Sequence, residues 1–166
     1  MEVINLGTGI FTHNEIDYHI SNFDTSNVKF MYSLIGTSIP NKTAAASVTT
    51  FNYDISGWNV SNVKDMTWMF YNTNYISTKP LTWDVSNVTT MNSMFYMAII
   101  NSDINFSDGN VSNVTDMGGM FNDAIINSDI NFSDWDVSNV TNMTHMFHYA
   151  EINSNVTVDL SSWGEK

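Results

Sequence analysis

The stretch W-D-V-S-N-V-T-N-M-T-H-M-F-H-Y-A, Trp135 to Ala150, decides how the chain is read, because its opening occurs elsewhere. W-N-V-S-N-V stands at Trp58 to Val63, W-D-V-S-N-V at Trp83 to Val88, and G-N-V-S-N-V at Gly109 to Val114. The copies therefore start at 58, 83, 109 and 135, at spacings of 25, 26 and 26 residues. A unit of that length cannot bury its own apolar face, so a period in this range implies units stacked on one another.

Weaker copies extend the pattern both ways. Tyr18 to Phe30 aligns with Tyr53 to Asp65, with Phe23 for Trp58, and Val158 to Trp163 opens a further unit. Rungs begin near residues 17, 52, 77, 103, 129 and 156, five full and a partial sixth, forming one repeat domain over 17–163. The wider first spacing falls on Pro40 to Thr50, read as a loop inserted across 36–50. Residues 1–16 lack the motif but carry Val3, Ile4, Leu6, Ile10 and Phe11, a candidate cap over the first rung. Residues 164–166 are a tail.

Each unit divides in two. Ile130, Phe132, Trp135 and Val137 have strand-like composition before the S-N-V turn. After it, Met143, Met146, Phe147 and Ala150 fall at i, i+3, i+4 and i+7, the spacing of a short helical face. A short parallel strand plus a helical turn per repeat predicts a leucine-rich-repeat-like solenoid. Stacking turns each alignment column into a ladder. The Val columns (Val60, Val85, Val111, Val137 and Val63, Val88, Val114, Val140), the Met columns and the Phe column are expected to form the core. Asn27, Asn62, Asn87, Asn113 and Asn139 are expected to satisfy turn backbone and bond one another above and below. Asp65, Thr90, Asp116 and Asn142 alternate charged with neutral, as in-register stacking of carboxylates requires.

Composition closes several functional classes. The 166 residues hold 17 acidic side chains against five Lys and no Arg, a net charge of -12, which leaves little to neutralise phosphates. Nucleic acid is not an expected partner. There is no Cys, hence no disulfide, thiolate metal site or Cys nucleophile, and no apolar run approaches a membrane span of roughly 20 residues. No signal peptide is visible after Met1. His145 and His148 could share a face and hold a metal, yet their equivalents in other units vary freely (Trp68, Ser93, Gly119; Tyr71, Tyr96, Asn122). Carboxylate pairs are numerous, but none has the apolar, non-repeating setting that separates two pKa values. No catalytic residue and no cofactor is expected. Ca²⁺ between the stacked Asp103 and Asp129 or Asp108 and Asp134 is weighed against plain solvation, which is preferred.

The repeat W-D-V-S-N-V-T-x-M-x-x-M-F resembles the bacterial surface-protein repeat of about 26 residues common in mycoplasma-type lipoproteins and related to BspA-like leucine-rich repeats, over residues 17 to 163. That resemblance implies an extracellular, non-enzymatic scaffold for adhesion and partner binding; similar repeats occur in viral and phage proteins. A lipid-attachment Cys is missing, which leaves room for a virion component as well as a cell-surface one.

The expected function is a non-catalytic scaffold for protein binding, adhesion or assembly, displayed on a virion or cell surface. The alternative is a glycan-binding or glycan-acting protein, which would need Trp58, Trp83 and Trp135 exposed; burial is the favoured reading. The outward strand face, Asn59, Asp84, Asp108, Asn110, Asp134 and Asp136, is polar and acidic and predicts a basic or cation-bridged partner. Asn155 to Leu160 reads as a last strand with nothing after it to form a cap. Val156, Val158, Leu160 and Trp163 are thus an expected assembly edge, for self-association or for another protein.

Overall fold

The computed structural model describes residues 10–13, 16–19, 23–36, 48–106, 110–158, 160, 163 and 164. β1 (Ile10–His13) and β2 (Ile16–His19) form an antiparallel pair. β3 (Thr49–Phe51), β4 (Thr73–Tyr75), β5 (Ile99–Ile100), β6 (Ile125–Ile126) and β7 (Glu151–Ile152) form one parallel sheet whose strand order is the chain order. Each strand lies beside the equivalent strand of the neighbouring unit: Ile99 pairs with Ile125, and Ile125 with Glu151. The fold is repeat-like, and the sequence period is its stacking period.

The strands do not stand where the composition placed them. They follow the Met/Phe segment, at the Ile-Ile pairs, whereas the Ile130 to Val137 stretch makes only a bridge at Ile130. Both stretches are apolar and β-branched, so composition could not rank them. The pleat forms where alternate amides find carbonyls of the neighbouring unit, as Ile125 and Asn127 find Ala98 and Ile100, and in the second stretch Asx turns fold the chain back on itself. Of the expected loop 36–50, residues 37–47 lie outside the described residues, while Thr49 and Thr50 belong to β3. Of the expected cap, Ile10 and Phe11 begin β1; Val3, Ile4 and Leu6 lie outside the described residues.

No α-helix occurs among the described residues, and the reason lies in the hydrogen bonds of the Met/Phe segment. Alternate amides close local turns, Met94 N–H to Met91 C=O at 3.2 Å and Ala98 N–H to Phe95 C=O at 3.0 Å. The amides between them leave the unit: Met91, Ser93, Phe95 and Met97 donate to the carbonyls of Asp116, Gly118, Met120 and Asn122 at 2.8–2.9 Å. A helix would spend all of these bonds internally; here half of them join units. The chain stays flat by resetting with positive φ every fourth residue, at Ser93 (52°) and Met97 (57°), and likewise at Trp68 and Asn72, Gly119 and Asp123, His145 and Tyr149. A four-residue turn period puts i, i+3, i+4 and i+7 on one side almost as a helix does. That is why the spacing reads as helical although the backbone is not.

Met91, Met94, Phe95 and Ala98 are all fully buried, as are Val85 and Val88. The Phe column stacks continuously, Phe70 on Phe95 at 5.0 Å, Phe95 on Phe121 at 5.4 Å and Phe121 on Phe147 at 5.2 Å between ring centroids. Trp58, Trp83 and Trp135 are buried, at 4, 1 and 3% exposure, with Trp58 stacked on Trp83. In the unit whose motif has Gly109 for Trp, the buried Phe106 stacks on Trp135 at 5.8 Å.

Candidate interaction surface

The acidic face expected to meet a partner is largely occupied by its own backbone. Asn59, Asp84, Asn110, Asp134 and Asp136 are exposed, and Asp108 lies outside the described residues. Asp84 Oδ1 accepts the Ser86 amide and Asp136 Oδ1 the Ser138 amide, each at 3.0 Å. Asn59 Oδ1 accepts both amide and hydroxyl of Ser61, and Asn110 Oδ1 the Ser112 hydroxyl. These are Asx turns, which satisfy the corner at which the chain changes direction. The Ser86 hydroxyl and amide hold the Asp84 carboxyl below its ordinary pKa, and Ser26 does the same for Asp24. Carboxylates so fixed are poor proton donors near neutral pH.

The polar columns bind unit to unit. Asn62, Asn87, Asn113 and Asn139 donate through Nδ2 to the carbonyls of Ser26, Ser61, Ser86 and Ser112 in the preceding unit, at 2.7–2.9 Å. They do not bond one another, contrary to the sequence expectation, because the freed corner carbonyl is the nearer acceptor. An amide-to-amide ladder does exist, but on the strand side: Asn101 Nδ2 reaches Asn74 Oδ1 at 2.7 Å and Asn127 Nδ2 reaches Asn101 Oδ1 at 2.9 Å. In the alternating column, Asp116 is held by Asn92 and Asn142 from either side. The bridges Phe30–Asp65–Thr90–Asp116–Asn142 put this column in register. Asp103 and Asp129 are exposed; His145 and His148 are exposed with ring centroids 4.8 Å apart. Among the described residues no three His, Asp or Glu side chains gather into a metal-binding group.

The C-terminal residues expected to form an edge strand are placed differently. Residues 155–158 are not a strand, and among the described residues the last strand is β7. Val156 and Val158 are half-buried against the core, and Leu160 is 37% exposed. Trp163 continues the Trp column: its Nε1 donates to the Phe132 carbonyl at 3.3 Å and its ring stacks on Trp135 at 6.2 Å. The pull of that column, and of Phe132 edge-on at 5.4 Å, draws the segment onto the core instead of leaving it extended.

Sequence reasoning missed an aromatic strip on the surface. Tyr32 (42% exposed), Trp68 (41% exposed), Tyr71 and Tyr96 form a chain across successive units, at centroid separations of 5.6, 6.0 and 5.5 Å. Burial against its neighbours raises the Tyr71 phenol pKa. The signal was present in the outward columns next to the Met positions, where Tyr71 and Tyr96 align and Trp68 stands beside them. A column that is inward in no unit and aromatic in two is a surface feature.

A family profile described as "Mycoplasma protein of unknown function, DUF285" matches residues 2–105 and again residues 74–166. The chain belongs to the DUF285 family. Two overlapping matches to one profile are what a DUF285 chain built from repeats gives. No curated protein and no solved structure matches it. Among its described residues no helix is long and apolar enough to cross a membrane.

Proposed function

We propose that this DUF285 chain is a non-catalytic binding scaffold, a short leucine-rich-repeat-like solenoid of the BspA-like kind, displayed on a virion or cell surface and used for adhesion. Its ligand is a protein held on the strip Tyr32, Trp68, Tyr71 and Tyr96. The observation that carries the reading is that strip. In a chain whose polar columns are occupied with turns and inter-unit bonds, it offers a contiguous aromatic surface, the residue type enriched at protein interfaces. Ring-on-ring contact within the strip lowers the entropy lost when a partner orders these side chains.

A second reading keeps the strip and changes the ligand. Exposed aromatic rings also stack on sugars, and the glycan alternative moves here because Trp58, Trp83 and Trp135 are buried and offer no face. Binding of labelled protein to intact cells, measured by flow cytometry, tests both. The protein-ligand reading expects loss of binding in a Trp68→Ala/Tyr96→Ala variant and after protease treatment of the cells, with glycosidase treatment harmless. Sensitivity to glycosidase alone transfers the strip to glycans, and undiminished binding by the variant removes it from the function. Antibody labelling of intact particles and cells tests display.

A further inference from the structure

Each outward turn of the Met/Phe ribbon sets the side chains of its first and fourth residues beside each other. One backbone bond closes the turn: Tyr71 N–H to Trp68 C=O, Tyr96 to Ser93, Asn122 to Gly119 and His148 to His145, at 3.0–3.1 Å. At Trp68 and Tyr71 the pair is two rings with centroids 6.0 Å apart. At His145 and His148 it is two imidazoles with centroids 4.8 Å apart and planes at 77°. Variation down these two columns excludes a metal site repeated in every unit. It leaves room for a site made once, by the turn that carries histidine at both positions.

The separation suits a shared ion. A metal about 2.0–2.1 Å from an imidazole nitrogen lies about 3.2 Å from that ring's centre, so two imidazoles on one ion have centres about 4.5 Å apart at a right angle and about 5.2 Å apart in a tetrahedron. The observed 4.8 Å falls between these values. Both side chains are exposed and neither makes a hydrogen bond among the described residues, so their ring nitrogens are open to a ligand. The backbone places them: His145 stands at φ 58°, the left-handed conformation that Ser33, Trp68, Ser93 and Gly119 share. His148 is packed by the Tyr149 ring, 3.9 Å away between centroids. A chelate already placed by the fold loses little freedom on binding. No third His, Asp or Glu side chain joins the pair among the described residues, which leaves the ion's other positions to water or to another donor. Two imidazoles suit Cu²⁺, Ni²⁺ and Zn²⁺, whereas Ca²⁺ and Mg²⁺ take oxygen ligands.

We infer that His145 and His148 together bind one divalent transition-metal ion of the Cu²⁺, Ni²⁺ and Zn²⁺ class, with its remaining coordination positions open. His145 is the repeat equivalent of Trp68, and His148 of Tyr71 and Tyr96, so the ion sits on the face that carries the aromatic strip. The inference rests on the imidazole pair and does not depend on what the strip binds.

Calorimetric titration of ZnCl₂ and, separately, CuCl₂ into the untagged 166-residue chain tests it. One ion per chain is expected, Cu²⁺ the tighter, with neither displaced by excess Mg²⁺. His145→Asn, chosen because Asn accepts the left-handed backbone, and His148→Gln are each expected to weaken binding at least about tenfold, since one imidazole is no longer a chelate. His13→Gln/His19→Gln is the control: these two histidines stand at opposite ends of the β1–β2 pair, and the variant is expected to keep wild-type affinity. Proton NMR of wild type gives a readout that needs no variant to fold for its result, because Zn²⁺ is expected to move the ring signals of two of the four histidines. A wild type that takes up no ion overturns the inference. So does a His145→Asn/His148→Gln chain that binds as tightly as wild type, displacement by Mg²⁺, or a spectrum in which no pair of histidine signals responds.

Discussion

The segments 91–98 and 143–150 share the pattern M-x-x-M-F-x-x-A and the same local turns, yet they live in different environments. Met91, Met94, Phe95 and Ala98 are fully buried; Met143, Phe147 and Ala150 are half-buried. Nothing within the segment accounts for this. Burial of a repeat residue comes from the unit that follows it, so one sequence pattern can encode a core position or a surface position according to its place in the stack.

The largest test of that comparison is truncation of the ring column. Phe95→Ala, between Phe70 and Phe121, is expected to cost about 3–5 kcal/mol by urea denaturation. Phe147→Ala, stacked on one side only, should cost roughly half of that. Equal losses would mean that the last unit is as well packed as the inner ones. Next is Gly36, where an added Cβ would lie 2.7 Å from the Trp68 carbonyl oxygen, a backbone atom that cannot step aside. Gly36→Ala is expected to cost about 1–3 kcal/mol, with earlier loss of the first unit in hydrogen exchange.

The positive-φ column sharpens the comparison further. It holds Ser33, Trp68, Ser93, Gly119 and His145, with only the glycine free of the left-handed penalty. Gly119→Ala should destabilise by about 1 kcal/mol, and Ser93→Gly should be neutral or stabilising by less than that, both seen in thermal midpoints. The smallest effect is electrostatic. Lys79, 2.7 Å from Asp54, together with Ser56, holds the Asp54 carboxyl at a pKa of about 2. A folded-state pKa below the unfolded value of about 3.9 stabilises the fold above that pH and is lost as pH falls toward 2. The pair is exposed, so Lys79→Met should narrow the stability difference between about pH 5 and pH 2.5 by well under about 1 kcal/mol.

The repeat, its register and its core columns were legible because stacking makes equivalent residues share one environment, and Val85, Met94 and Phe95 announce theirs by recurring. Local geometry was not. The Met/Phe spacing fits a helix and a four-residue turn ribbon equally, and the choice depends on amides finding acceptors 25 residues away, at Asp116 and Gly118 for Met91 and Ser93. The Asx role of Asp84 and Asp136 was hidden for the opposite reason. Their Ser partners were visible as a column, but the exposed carboxylates read as a binding face once the corner was assigned to the Asn column instead. The aromatic strip was hidden because it runs diagonally across columns, Tyr32, Trp68 and Tyr71 each belonging to a different one.

The hydrogen bonds that join unit to unit also have a mechanical meaning. Tension applied between the two ends passes through the unit interfaces in series, so each is held only by its own bonds and the weakest yields first. Once an interface parts, the freed 26 residues can extend by roughly 80 Å in place of a strand spacing of about 4.8 Å. A tethered chain of this kind would lengthen in steps of one repeat, dissipating load unit by unit while the units still stacked kept their shape.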